Sequence, residues 1–428
     1  MTTNDRRDFL LSTGAGMAAT WLAPHLELLH PLLGRKTPGG EGRVKLALIG
    51  AGRQGRAILG ELATIPDCEV VAVCDNDESR LSSALRRATG AKGYAGAADL
   101  LAKEVSVSAV IIATPTHLHR AIVEQCLAAK KHVYCETPLA HTLEDLQAIS
   151  AAARGAGVVA AAAFQGRANP VYGLARSFFK AGTLRELAHL SAQNHKKTSW
   201  RTAGSTPERD RELNWHLDPK VSLGLTGELG AHQFDVFHWF LGRHPVSVRA
   251  RGDLRLHKDG REVPDTVQAQ FTFDDGLVLD WSCTLANSLG GRHEEIAGAM
   301  GAIKLAWTHG WMFKEADAPT QGWEVYANRQ QFHDEQGITL IADATKLAAQ
   351  GKLQEGVGLP YTSLYYSLAD FVATVAGSNG AGSNGAGSKA PACSLADGAR
   401  SSAVSVLASR ALVERTEVAI DPKLLEGL

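Results

Sequence analysis

From Arg43 to about Phe164, short apolar runs alternate with stretches whose apolar positions recur every three or four residues. The runs Val44–Ile49, Glu69–Cys74, Ala109–Ala113, His132–Cys135 and Val158–Ala162 read as strands. Helical patterns fall between them at Gln54–Ala63, Glu78–Ala88, His119–Ala129 and Leu143–Arg154. Strands and helices in strict alternation predict a doubly wound parallel sheet. The carboxyl edge of such a sheet is where ligands sit. Three strand ends there carry polar clusters: Gly50–Gly55, Thr114–His119 and Glu136-Thr137-Pro138.

The second half has another texture. Leu187–Asn194, Val246–Leu254, Thr266–Phe273, Leu277–Leu285 and Glu294–Ala299 read as strands of alternating pattern, and Asp274-Asp275-Gly276 is a hairpin signal. Gln233–Leu241 is the most amphipathic helix of this half, and helix returns at Ser363–Val375 and Leu395–Glu414. Between the last two lies AGSNG twice, so residues 376–389 read as a flexible polar loop. The fold class is therefore α/β. A Rossmann domain over residues 43–165 precedes a C-terminal α/β domain over 166–428, built on an open, mostly antiparallel sheet.

The first turn carries the most specific chemistry. Leu46–Ile49 ends in Gly50-Ala51-Gly52-Arg53-Gln54-Gly55, and the second strand ends in Asp75. Gly50 permits the tight turn, Gly52 lets backbone approach a pyrophosphate, and Gly55 lets helix pack on strand. The helix N-terminus then offers free N–H groups to phosphate. An acid some twenty residues on, after a strand, is the confirming context for a dinucleotide site. Asp75 would accept hydrogen bonds from the ribose hydroxyls and repel a 2′-phosphate, which favours NAD over NADP. Arg80 nearby reads as a solvated helix residue.

Composition narrows the partners. The net charge is −1 and the basic residues are scattered, so neither nucleic acid nor an anionic membrane surface is indicated. The six cysteines have no zinc-like spacing and read as small buried residues. Arg6-Arg7-Asp8-Phe9-Leu10, with a weakly apolar stretch to Pro24, matches a twin-arginine export pattern. That stretch is too short and too polar for a stable membrane span. Residues 1–42 are accordingly read as signal and linker, and the destination as periplasmic or otherwise extracytoplasmic.

As a set, GAGRQG, CDND, ATPTHLH, KHVYCETPLA and DGARSS resemble the Gfo/Idh/MocA oxidoreductases, from Arg43 to about Ile420. The resemblance implies a Rossmann domain plus an open-sheet domain, carbohydrate or polyol substrates, and a homo-oligomer formed through the open sheet. It also implies cofactor contacts at Thr114, Pro115, His119, Glu136, Thr137 and Gln165, with Arg167 and Asn169 beside nicotinamide and substrate. The family's acid/base lysine falls at Thr137. A threonine is a poor base near neutral pH and brings no positive charge, which questions simple lysine-assisted dehydrogenation.

The family's second signature, an acid four residues before a histidine, falls on Glu228 and His232. On a helix i and i+4 face the same way, so Glu228 would orient or charge-stabilise His232. His232 is the candidate acid or base because an imidazole titrates near working pH. Glu228, His232, Asp235 and His238 also allow a metal reading, which the resemblance does not support. Asp235 is a candidate substrate contact. So are His195, Lys196, Trp200 and Arg201, where cations and an aromatic would suit a sugar, although a solvated loop fits equally. Asn214-Trp215-His216 reads as a sugar platform or as packing. The leading expectation is an NAD-dependent sugar or glycoside oxidoreductase, including redox-neutral glycoside cleavage. The alternative is a catalytically silent sugar- or nucleotide-binding protein.

Overall fold

The structure, a computed structural model, describes residues 42–319, 329–332, 335–340, 359–380 and 390–428. The twin-arginine segment and linker lie outside the described residues, as do residues 381–389 of the AGSNG stretch.

The first sheet has six parallel strands in the order β3-β2-β1-β4-β5-β6. They are β1 (Val44–Ile49), β2 (Cys68–Cys74), β3 (Lys92–Tyr94), β4 (Ala109–Ile112), β5 (His132–Cys135) and β6 (Ala160–Ala162). The connecting helices are α1 (Arg53–Leu62), α2 (Glu78–Leu85), α3 (Ala97–Lys103), α4 (His119–Ala128) and α5 (Leu143–Arg154). Successive strand residues serve opposite faces. Leu46, Leu48, Ala109, Ile111 and Tyr134 pack toward α1, while Ala47, Ile49, Val110, Ile112 and Val133 pack toward α4 and α5. The sequence pattern does not announce β3 or α3. Lys-Gly-Tyr is too short and too polar to read as a strand, and only its pairing with β2 makes it one.

The second sheet has ten strands, ordered β14-β15-β13-β12-β11-β7-β10-β9-β8-β16. Its central strands are β7 (Leu187–His195), β8 (Ser247–Asp253), β9 (Thr266–Thr272), β10 (Val278–Thr284) and β11 (Arg292–Gly298). Then come β12 (Gly301–Ala306), β13 (His309–Lys314), β14 (Arg329–Phe332), β15 (Glu335–Leu340) and, at the far edge, β16 (Glu417–Ala419). All neighbours are antiparallel except β7 and β10, which run parallel. Gly276, at φ +86°, turns the chain between β9 and β10, as the hairpin signal requires. Residues alternate between a buried face and a polar open face that carries Gln193, Gln268, Gln270, Arg249 and Asp280.

Between the sheets lie α6 (Pro170–Lys180), α7 (Pro207–Leu213) and α8 (Ala231–Leu241), which Gly242 ends at φ +77°. The tail then ties both sheets together. α9 (Ser363–Gly380) covers the β1–β4–β5 face with Leu364, Leu368, Phe371, Val372 and Val375, and Ser367 bonds Tyr134 Oη at 2.8 Å. α9 runs through Gly380, so the first AGSNG copy belongs to a helix and not to a loop. Its alanine and the sheet beneath outweigh the poor propensity of Gly and Asn. Cys393 and Ser394 bond along β6, closing that edge, and α10 (Leu395–Glu414) follows. All six cysteines are free and buried.

Phe371, 1% exposed, is the largest fully buried side chain that α9 lays on the first sheet. Phe371→Ala should cost about 3–5 kcal/mol of unfolding free energy. Val413→Ala, at a site 75% exposed, should change it by less than about 0.5 kcal/mol. Denaturant titration of both variants measures the difference.

Candidate active site

The glycine turn leaves β1 with Gly50 at φ +96°. A Cβ on Gly55 would lie 1.9 Å from the Gly50 carbonyl oxygen, so α1 can start this close to the strand only with glycine there. Gly52 faces open space, and no side chain caps the start of α1. Free N–H groups beside that space are what a pyrophosphate needs. Arg53 and Gln54 begin the helix, and Gln54 Nε2 donates to Glu136 Oε1 at 2.9 Å.

Asp75, read from the sequence as a ribose acceptor, is already engaged by backbone. Its Oδ2 accepts from the Ala51 N–H at 2.7 Å and its Oδ1 from the Asp77 N–H at 2.8 Å. The carboxylate therefore pins the glycine turn, with one lone pair on each oxygen left over. Burial raises its pKa, while the Ala51 N–H and the charges of Arg80, Arg209 and Arg56 oppose that shift. Arg209, on α7 of the second half, pairs with Asp77. Sequence reading misses this residue because it lies far from every motif. The segment around α7 thus reaches across to the ribose end of the turn.

Two further turns complete the edge. Thr137–Pro138 is a cis peptide. His119 lies between Thr114 O at 2.9 Å and Pro138 O at 3.2 Å, and burial lowers its pKa to about 4. A neutral ring has one N–H, so it donates to one carbonyl at a time. His119 ties the two turns together and keeps no nitrogen for a ligand. The hydroxyls of Thr114 and Thr137, by contrast, are buried without partners. Pro115 and Gln165 flank them, Gln165 opening the short helical turn after β6.

Glu228 lies in a π-turn, Thr226–Gly230, just before α8. The wider turn shifts the helical phase, so the i,i+4 pairing with His232 is not made. Glu228 instead accepts from Thr116 Oγ1 at 3.1 Å. Burial, with the nearby Glu136 carboxylate adding to it, pushes Glu228 up to about 8. Burial also pushes Glu136 up to about 7. His232 sits 5.7 Å from the Phe164 ring and 6.3 Å from that of Trp307, with Nδ1 buried and unpartnered. Burial and the Arg292 charge push its pKa down to about 3. The expectation that its imidazole titrates near working pH is corrected: it is neutral throughout.

The expected substrate contacts are mostly occupied elsewhere. Arg167 donates from Nε and Nη2 to both oxygens of Asp235, at 2.7–3.2 Å. Ser401 adds 2.6 Å to Asp235, and Asp397 lies 3.5 Å from Arg167. Asn169 caps α6 and bonds Trp307 O and Ser363. His195 bonds Ser282 at 2.9 Å, Lys196 is exposed, and Arg201 pairs with Asp210 at 2.6 Å. Trp200 packs against the His216 ring at 4.5 Å, the two planes tilted by 54°. Glu228, His232, Asp235 and His238 face different partners, since His238 stacks on His244 at 3.6 Å. What the fold adds to the cavity is Arg292, Trp307 and a cluster of His117, His141 and Trp215, with Nδ1 of His117 and of His141 unpartnered. His117 falls in the ATPTHLH cluster and Trp215 in the Asn214–His216 stretch read as a sugar platform or as packing, while no local pattern marks Arg292, Trp307 or His141, which tertiary pairing brings in.

Known proteins share this arrangement. Residues 44–164 match the profile described as "Oxidoreductase family, NAD-binding Rossmann fold", and residues 174–304 match the "GFO/IDH/MocA C-terminal domain". The uncharacterized oxidoreductase YrbE of Bacillus subtilis is 26% identical over 55% of this chain, a match that spans 65% of YrbE. Inositol 2-dehydrogenase 2 of Saccharopolyspora erythraea is 27% identical over 61% of this chain and 73% of its own length. Among solved structures, an oxidoreductase domain protein from Kribbella flavida superposes with a TM-score of 0.71 at 21% identity, covering 89% of this chain and all of that one. Levoglucosan dehydrogenase with NADH and levoglucosan gives 0.69 at 20%, over 88% of this chain and 99% of that one. At such identities these superpositions speak for the fold. The matched profiles show that the chain belongs to the Gfo/Idh/MocA oxidoreductase family, with an NAD-binding Rossmann fold as its first half.

Proposed function

We propose that the protein is an NAD-dependent oxidoreductase acting on a sugar, polyol or glycoside. The observation that carries this is the set of buried polar atoms without partners, Thr114 Oγ1, Thr137 Oγ1 and His232 Nδ1, at the strand ends and on the helix facing them. Buried polar groups are normally hydrogen-bonded, so such a set matches a ligand rich in hydroxyls. The inositol dehydrogenases and levoglucosan dehydrogenase among its relatives support the same class. Bound NAD supplies a hydride acceptor at the substrate carbon or, in reverse, a donor.

The protein's own residues handle the hydroxyl and its proton. Neutral His232 donates its one ring N–H to the hydroxyl oxygen and orients it, leaving the hydroxyl's proton free to move, but an imidazole of pKa about 3 does not take up that proton at neutral pH. That role falls to Glu136, whose pKa of about 7 suits a general base at working pH. Glu228, near 8, keeps its proton there and hydrogen-bonds as a neutral acid. Two carboxyls in one field share a single charge between those values. The pair stands in for the lysine that Thr137 replaces.

The decisive assay incubates the NAD-loaded protein with a panel of sugars, polyols and glycosides. It follows the reduced-nicotinamide band and aglycone release together. A change in absorbance is net dehydrogenation, and release alone is redox-neutral cleavage. Neither, with binding retained, leaves the silent reading. His232→Ala should lower turnover about 10²-fold through lost orientation, with NAD affinity nearly unchanged; full turnover in that variant removes His232 from the chemistry.

The pH profile tests the carboxyl pair. Activity should rise through about pH 7 as Glu136 ionises and fall through about pH 8 as Glu228 does. Glu136→Gln should abolish the acid limb and most of the activity. Glu228→Gln, which mimics the protonated acid, should extend activity to higher pH.

We also read the protein as exported by the twin-arginine route. Replacing Arg6 and Arg7 together by lysine should leave the precursor in the cytoplasm, as fractionation and immunoblotting would report. Export undiminished by the change would reject the signal.

A further inference from the structure

Arg292 opens β11, opposite Asn194 of β7. Its guanidinium lies over the Trp307 indole, with Cζ 3.7 Å from the ring centroid. The same indole ring is 6.3 Å from that of His232. The side chain is 17% exposed, yet Nε is fully buried and has no partner. The nearest carboxylate oxygen, Glu294 Oε1, is 3.6 Å from Nε, too far for a hydrogen bond. Glu294 is engaged elsewhere, accepting from Tyr172 Oη at 2.5 Å and Gln233 Nε2 at 2.8 Å. Gln233 is itself fixed by the Trp281 indole N–H at 2.9 Å. Arg292 thus has an electrostatic neighbour but makes no hydrogen bond among the described residues.

A guanidinium carries five N–H donors in a rigid planar fork. Leaving such a group unpaired away from water is costly, and native structures rarely do so without a role for it. Trp307 backs the fork, and the Glu294 network keeps the nearest carboxylate among the described residues from closing on it. The group that satisfies a planar fork best is a planar carboxylate, taken bidentately. Scattered sugar hydroxyls match neither its geometry nor its charge. A phosphate dianion fits less well. Among the described residues Arg292 is the cation at this spot, and Glu294 would repel the second negative charge.

We propose that Arg292 receives the substrate's carboxylate, so that the preferred substrate is a sugar acid with its reacting hydroxyl toward His232. This rests on the reading of the protein as a sugar oxidoreductase and narrows its substrate class. Arg292 is then a specificity-determining residue: it recognises a substituent and takes no part in moving the proton.

The test is equilibrium binding by calorimetry on the full chain loaded with NADH. The probes are D-glucuronate and D-galacturonate, matched against D-glucose and D-galactose, with D-glucose 6-phosphate as a further arm. One charge-assisted bidentate contact should make the acids bind about tenfold or more tightly than the matched neutral sugars. Arg292→Met keeps the stem on Trp307 and removes the fork, so it should bring the acids down to the neutral-sugar level. Arg292→Lys keeps the charge without the fork and should fall between. Thermal melting and NADH affinity report whether each variant folds, and the wild-type comparison decides the matter even if Arg292→Met does not. Acids binding no tighter than neutral sugars overturn the proposal, as does tighter binding of the phosphate or an equal loss of both classes in Arg292→Met. The oxidoreductase reading fails separately, if the acids bind through Arg292 but never exchange hydride with the nicotinamide.

Discussion

One buried ion pair sets the geometry of the whole site. Arg167, in the turn that leaves the first sheet, holds Asp235, on α8 one turn beyond His232, and both are almost fully removed from water at 7% and 1% exposure. Ser401 and Asp397, both on α10, complete the contact. Removing one partner from such a pair leaves an uncompensated charge and costs about 3–5 kcal/mol, though the intact pair adds little net stability. Its value is register. The strand ends and α8 come from different parts of the chain, and this contact decides where His232 stands over the sheet. The tail stretch Asp397–Ser402 owes its composition to the same task. A Cβ on Gly398 would lie 2.3 Å from that of Ala162, and Ser402 accepts from the Leu139 N–H beside the cis peptide.

The electrostatics follow from one missing cation. A lysine at position 137 would place an ammonium next to Glu136 and hold both nearby carboxyls ionised. Thr137 supplies none, so burial outweighs the opposing hydrogen bonds from Gln54, Thr137 N–H and Thr116, and Glu136 and Glu228 both rise toward neutrality. The nearest positive charge felt by His232 is that of Arg292, and it drives the imidazole further from protonation. Glu136, Glu228 and His232 are therefore held near neutrality by burial, beside the Arg292 cation.

Local physics was legible in the sequence, and tertiary pairing was not. The glycine turn, the parallel alternation and the β9–β10 hairpin each depend on residues a few positions apart. Asp75 was legible as the acid of the unit but not as the group that pins the turn, since its backbone partners appear only when β1 and β2 align. Arg167, Asn169 and Asp235 have the residue types of substrate contacts, and identical types build an internal ion pair and a helix cap. Glu228 and His232 fail to pair because a π-turn intervenes, which residue spacing does not encode. Arg292 and Trp307 sit outside every motif.

α9 carries a consequence for how the protein is made. The face formed by Leu46, Leu48, Ile111 and Tyr134 is covered by a helix that leaves the ribosome about 200 residues after β6. At about 5–20 residues per second, the sheet waits on the order of 10–40 s for its cover. During that interval it presents a greasy surface to chaperones and proteases. A chain that stops short of α9 leaves that surface bare, so a truncation before Ser363 exposes the apolar face of β1, β4 and β5 to solvent.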